Sequence, residues 1–192
     1  MDRREALQRT AMMLGYAISA PAMMGVLNGC KATPDLAFKP VFFMEDMSKM
    51  IAEISEIMIP KTDTPGAKDV GVPAFIDKMI NDCYKKEDQD RFVKEATDFD
   101  ADANATYGDP FIECEAEQQK DMVLKYHSEA IAAMKSDSPP KVRPFILMMK
   151  ELTMLGFFTS EPGATQVLQY ESVPGAYKSC VPLSEVGRTW AT

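Results

Sequence analysis

His127 is the one histidine in 192 residues, and it limits what this chain can catalyse. With Tyr126 and Glu129 beside it, it could act as a general base. No serine or cysteine nucleophile stands in a recognisable motif, so a surface or capping role is the plainer reading. Fifteen methionines could favour Cu(I) through their thioethers. Spread at helical spacing over every apolar run, they read instead as adaptable core filler. Thr62-Asp63-Thr64 could suggest a metal or phosphate loop, but no glycine-rich cradle or further acidic cluster accompanies it. Asx-type turn bonds account for it better. There is no GxGxxG for a dinucleotide and no CxxCH for a c-type haem. We therefore expect no catalytic residue, metal or cofactor of the chain's own.

Charge and cysteines narrow the setting. The chain carries 21 basic and 29 acidic residues, a net charge of −8. That disfavours nucleic acid as a partner. Arg3 and Arg4 precede an uncharged run from Ala11 to Leu27 that Gly15, Pro21 and Gly25 dilute. Twin arginines before a weakly apolar run read as a Tat export address over residues 1–29. Leu7 fits that motif, whereas Ala6 and Gln8 replace its usual phenylalanine and lysine. The run closes Leu27-Asn28-Gly29-Cys30, which resembles a lipobox. Lipidation of Cys30 would hold a folded domain at a membrane surface, in the periplasm. Cleavage there would leave a net charge of −9. Cys83, Cys114 and Cys180 would remain, none in a CxxC pattern. Cys83 falls on an apolar helical face and is expected to be buried. A Cys114–Cys180 disulfide would tie the C-terminal segment to the core, although connectivity does not follow from sequence.

The elements that must position these residues are helical. Pro34 and Pro40 make residues 30–43 a tether. Met47, Ile51, Ile54 and Met58 predict a helix from Met44 to Ile59, stopped by Pro60. A second runs from Pro73 to Lys86, a third from Asp88 to Ala105 with Phe92, Ala96 and Phe99 on one face, and a fourth from Glu115 to Lys135. The fifth, Val142 to Leu155, is apolar nearly all round and is expected at the centre of a bundle. Gly156 is placed to end it with positive φ. The fold expected is all-α: a helical bundle of about five helices over residues 44–183, with an irregular, aromatic-rich C-terminal cap. Residues 184–192, with Trp190, form a tail without a reading.

Two stretches carry a resemblance. The first is Ile59-Pro60-x-Thr62-Asp63-Thr64-Pro65-Gly66-Ala67, followed after four residues by Val72-Pro73-x-Phe75-Ile76-Asp77. The second is Gly156-Phe157-Phe158-Thr159-Ser160-Glu161-Pro162-Gly163 with Tyr170-x-x-x-Pro174-Gly175-x-Tyr177-x-x-Cys180. Together they resemble the gluconate 2-dehydrogenase subunit 3 (small-subunit) family. The resemblance implies a non-catalytic partner of a large GMC-type flavoprotein that oxidises a sugar, sugar acid or glycoside. FAD would belong to that partner, and a cytochrome c subunit with haem c could accept the electrons. A partner without its own signal would cross the membrane folded, carried by this chain's Tat address.

Within that reading the partner contacts expected are Thr62, Asp63, Thr64 and Pro65 in the first loop. In the second stretch they are Phe157, Phe158, Glu161, Pro162, Tyr170, Pro174 and Tyr177. Large aromatics are the usual anchors of such surfaces. The residues leave two other classes open. One is a stand-alone helical lipoprotein that binds a small ligand or acts as an assembly chaperone. The other is an enzyme that uses His127 with a nearby carboxylate.

Overall fold

Proline and glycine punctuate the amphipathic runs, and the helices fall between them. The computed structural model describes residues 36–191 apart from 174 and 177. Five long helices make an all-α bundle: α1 Glu45–Met58, α2 Val72–Cys83, α3 Lys86–Tyr107, α4 Ala116–Met134 and α5 Phe145–Phe158. A 3-10 turn, Phe111–Glu113, links α3 to α4. After α5 come a π-helical turn, Gly163–Val167, and the single turn α6, Leu183–Val186. Among the described residues there is no strand, only an isolated parallel bridge between Gln169 and Trp190. No helix among them is long and apolar enough to cross a membrane.

The apolar character of α5 decides its place. It packs against α1, α2, α3 and α4. Phe145, Ile146, Met149 and Leu152 on it are all buried. A helix whose charge is confined to one adjacent pair, Lys150 and Glu151, loses least when nearly surrounded, because each apolar side chain removed from water stabilises the fold by roughly 1.5–3 kcal/mol. An aromatic spine runs through the same core. Phe43, Phe92, Phe145, Phe99 and Phe111 follow one another with ring centroids 5.5, 5.0, 5.9 and 5.0 Å apart. Tyr126 branches from the row, edge-on to Phe99 at 4.8 Å.

Several helix ends are capped by side chains from elsewhere in the chain, and here local sequence misplaces the boundaries. The sequence predicts α5 from Val142, but it begins at Phe145, after Pro144. Glu95 on α3 accepts from the Phe145 amide at 2.6 Å, so the first turn is closed by a different helix. The carbonyls at the end of α2 are met by Gln89. Its Nε2 donates to Ile80 O at 2.9 Å, Asn81 O at 3.0 Å and Tyr84 O at 3.2 Å. Among the described helices α4 alone carries a local capping box, between Glu115 and Gln118.

Two expectations change. The buried Asp77 carboxylate on α2 accepts from the amides of Val41 at 2.6 Å, Phe42 at 3.1 Å and Phe43 at 2.9 Å. Residues 41–43, assigned to the tether by sequence, are thus pinned to the bundle, and Phe43 joins its core. The second concerns Gly156, which does not end α5 with positive φ. The helix continues to Phe158, and Gly156 is buried inside it. A β-carbon there would lie 2.7 Å from the Phe75 ring of α2. The glycine is needed for close helix approach, not for a turn.

Candidate partner interface

The loop between α1 and α2 is held from within. Glu56 on α1 accepts from the Lys61 amide at 3.0 Å and from the Lys68 amide at 2.9 Å. Thr62 N donates to Thr64 O at 3.0 Å, which closes a tight turn over Asp63. Asp69 accepts from Gly66 N at 3.2 Å and pairs with Lys61 Nζ at 3.0 Å. The Lys61 ammonium and then the Gly66 amide hold the Asp69 carboxyl below its ordinary range. Lys68 Nζ reaches Glu53 at 2.5 Å. The carboxylates that organise the loop are therefore Glu56 and Asp69. Asp63, expected to make the Asx-type bond, is exposed and forms no hydrogen bond or ion pair among the described residues. Thr62 is exposed beside it, while Thr64 and Pro65 are half-buried.

The second stretch divides in the same way. Phe157 is only 2 % exposed and belongs to the core, so it is no partner anchor; Phe158 packs edge-on to it at 5.2 Å and is half-buried. Both were assigned to the irregular cap, but the extra turn of α5 turns them inward. Ser160 Oγ donates to Phe157 O at 2.6 Å and accepts from Gly163 N at 3.1 Å. A β-carbon on Gly163 would lie 1.9 Å from Phe157 O, so the motif glycine lets the π-helical turn fold back on the helix end. Pro162, immediately before that turn, is half-buried. The Glu161 side chain and Tyr170 remain outside. Glu161 is exposed, Tyr170 is 55 % exposed, and neither side chain has a hydrogen-bond or ion-pair partner among the described residues.

The tail acquires a place that sequence could not supply. Gln169 N donates to Thr189 O at 2.8 Å, and Ala191 N donates to Gln169 O at 3.0 Å. The final residues thus brace the segment that presents Tyr170. A pairing of one residue on each side leaves no alternating pattern to detect. Of the other predicted positions, Arg3, Arg4, Cys30, Pro174 and Tyr177 lie outside the described residues.

The cysteines depart from expectation. Cys114 and Cys180 are not bridged. Cys114 is buried against the 3-10 turn, its thiol directed at Pro110 O at 3.4 Å and Asp109 O at 3.5 Å, whereas Cys180 is exposed. Cys83, expected inside, is exposed at the last turn of α2, and Met79 rather than Cys83 turns toward the core.

His127 is half-buried on α4, and its Nε2 lies 3.1 Å from Lys150 Nζ. An ammonium can only donate, so Nε2 accepts. On the preceding residue, the Tyr126 hydroxyl donates to the Asp102 carboxylate. Burial first, then that bond and the Asp102 charge, push the Tyr126 phenol well above its ordinary value. Among the described residues no group of three or more histidine, cysteine and acidic side chains is placed to hold a metal ion.

The family described as gluconate 2-dehydrogenase subunit 3 matches this chain over residues 45–175. That span takes in both motif-bearing stretches as far as Gly175, together with all five long helices. No curated protein and no solved structure matches the chain.

Proposed function

The chain belongs to the gluconate 2-dehydrogenase subunit 3 family, and from that premise we propose that it is the non-catalytic small subunit of a flavin-dependent sugar or sugar-acid dehydrogenase. The family name makes it a subunit of a gluconate dehydrogenase complex. One observation carries the rest. Most motif residues have a task inside the fold: Gly156 and Gly163 permit close contacts, Asp77 pins the entering chain, and Phe157 fills the core. The side chains of Asp63, Glu161 and Tyr170 have none among the described residues, and all three residues are exposed. Motif residues that hold nothing within their own chain are suited to holding another.

In this reading the catalytic partner is a large GMC-type flavoprotein that carries the FAD. Electrons from its substrate pass to an acceptor, for which a cytochrome c subunit with haem c is the proposed candidate. The small subunit contributes surface, not chemistry. Its Arg3-Arg4 address takes the folded pair across the membrane by the Tat route, and a lipid on Cys30 holds the complex at the periplasmic face.

The test is a mild-detergent purification of the tagged full chain from its native membranes. A flavoprotein in roughly stoichiometric amount, absorbing near about 450 nm, is the expected result. A colourless chain recovered alone, from intact membranes and gentle extraction, would exclude the subunit reading.

A further inference from the structure

The exposed motif residues are small in area, and a stable complex buries about 800 Å² on each partner. More surface is required. Along α4, residues 124, 127, 131 and 134 recur at helical spacing and share a face. Across from it on α5 stand residues 147, 150, 151 and 154, with Arg143 in the segment just before the helix. Between them lies an open groove of about 420 Å³, floored by Ile131, Met134, Leu147 and Met154. Leu124 continues the α4 face and is 54 % exposed, while Met154 and the adjacent Leu155 are 45 % and 44 % exposed. The α4 face is about 15 Å long at 1.5 Å per residue, a length that matches two to three turns of a helix. Lys150 and Glu151 are the only charged residues of α5, and the side that carries this pair is the one the other four helices leave uncovered.

The rim carries charge. Arg143 is engaged by Glu151. Lys150 has only the His127 imidazole at 3.1 Å and, among the described residues, no carboxylate within ion-pairing reach. In a chain of net charge −8, the groove thus sets an uncompensated cation beside an aliphatic floor.

We propose that this groove seats an amphipathic helix of the catalytic subunit, with aliphatic side chains on Ile131, Met134, Leu147 and Met154 and a carboxylate directed at Lys150. The inference rests on the subunit reading above and extends it to a specific surface. Helix-in-groove recognition needs this pairing of an apolar trough with a charged edge. A second copy of the chain fits less well. A two-fold contact would set one concave face against another and bring the two Lys150 ammonium groups together. A bilayer is flat and would leave the trough unfilled. The chain's own C-terminal tail is already engaged at Gln169.

The test places a photo-crosslinking amino acid at Leu147 of the full chain, expressed with its natural partners, and runs Lys150→Glu and Leu147→Asp in parallel. Melting of each purified variant is compared with wild type. Expected results are a crosslink mapped to a helix of the flavin-bearing subunit, and at least a tenfold loss of that subunit from purified Lys150→Glu. Should Leu147→Asp fail to fold, the crosslink and Lys150→Glu decide. If wild type recovers the flavoprotein, and the crosslink misses it or the folded variants retain it fully, the groove assignment is wrong and the subunit reading stands. A crosslink to a second copy or to lipid overturns the assignment as well. If wild type recovers no flavoprotein, the subunit reading fails and the groove assignment falls with it.

Discussion

Phe75 on α2 and Gly156 on α5 touch so closely that a β-carbon on Gly156 would lie 2.7 Å from the ring. Two effects compete in Gly156→Ala. Removing an interior helical glycine stabilises by about 1 kcal/mol. Overpacking against a ring costs about 1–3 kcal/mol. The ring is anchored in the helix–helix contact, so the clash should dominate. The expected net loss is about 1 kcal/mol by denaturant unfolding. The same change in a Phe75→Ala background should be stabilising, and this reversal of sign identifies the contact as the cause.

Asp77 should be the most sensitive carboxylate in the protein. It is 1 % exposed and accepts from three consecutive amides, those of Val41, Phe42 and Phe43. Asp77→Ala strands those donors and should cost about 3 kcal/mol or more. Asp77→Asn keeps the shape but turns one acceptor into a donor, and should fall between. Hydrogen exchange provides the local readout: amides 41–43 should lose protection in both variants before α3 and α4 do. Unchanged exchange at these amides would show that the latch does not hold the chain.

Asp63 makes the complementary case. It lies in the same motif but is exposed and without a partner among the described residues. Asp63→Ala should leave stability within about 0.5 kcal/mol of wild type. It should nevertheless reduce the amount of large subunit recovered with the chain, as should Tyr170→Ala. A loss of stability without loss of recovery would assign Asp63 to the fold instead.

This division marks what the sequence could and could not reveal. Helix number and the central place of α5 follow from apolar spacing, which reports burial directly. The motif residues were legible as a set, but their tasks were not. Phe157 reads as a surface anchor until the helix is seen to pass through Gly156. Asp77 reads as an ordinary polar residue of an amphipathic helix. Glu95 and Asp77 act on backbone groups distant in sequence, 50 residues away for Glu95 and Phe145 and 36 for Asp77 and Val41, while Gln89 reaches back across the α2–α3 turn. No local pattern encodes such pairs. On α5 the adjacent pair Lys150 and Glu151 marks the side that stays uncovered, but the groove also needs the facing residues of α4, and no local pattern states which helix lies alongside.

The cysteines give a simple chemical test. Cys83 and Cys180 are exposed, Cys114 is buried, and no bridge joins Cys114 to Cys180. In the folded domain a thiol reagent should modify Cys83 and Cys180 quickly and Cys114 only on unfolding. Reductant should leave the melting temperature unchanged. A shift of several degrees on reduction would instead reveal a stabilising disulfide.

Alkaline pH should unfold the protein partly through Tyr126. Its phenol is raised above the ordinary value near about 10, by burial first and then by the bond and charge of Asp102. A raised value means that the folded state holds the proton more tightly than the unfolded chain does. The contribution to stability is complete below about pH 10 and is lost as pH climbs toward the folded-state value. Tyr84, raised by its own burial and then by the charge of Glu151, acts in the same direction. Tyr126→Phe keeps the edge-on contact with Phe99 but removes the ionisable group. Asp102 is exposed, so near pH 8 the variant should lose only about 0.5–1 kcal/mol. Between pH 9 and 11 its stability should fall less steeply than that of wild type, as measured by urea unfolding at each pH. Parallel slopes would show that Tyr126 titrates alike in the folded and unfolded chains, and that the Asp102 bond does not hold the proton.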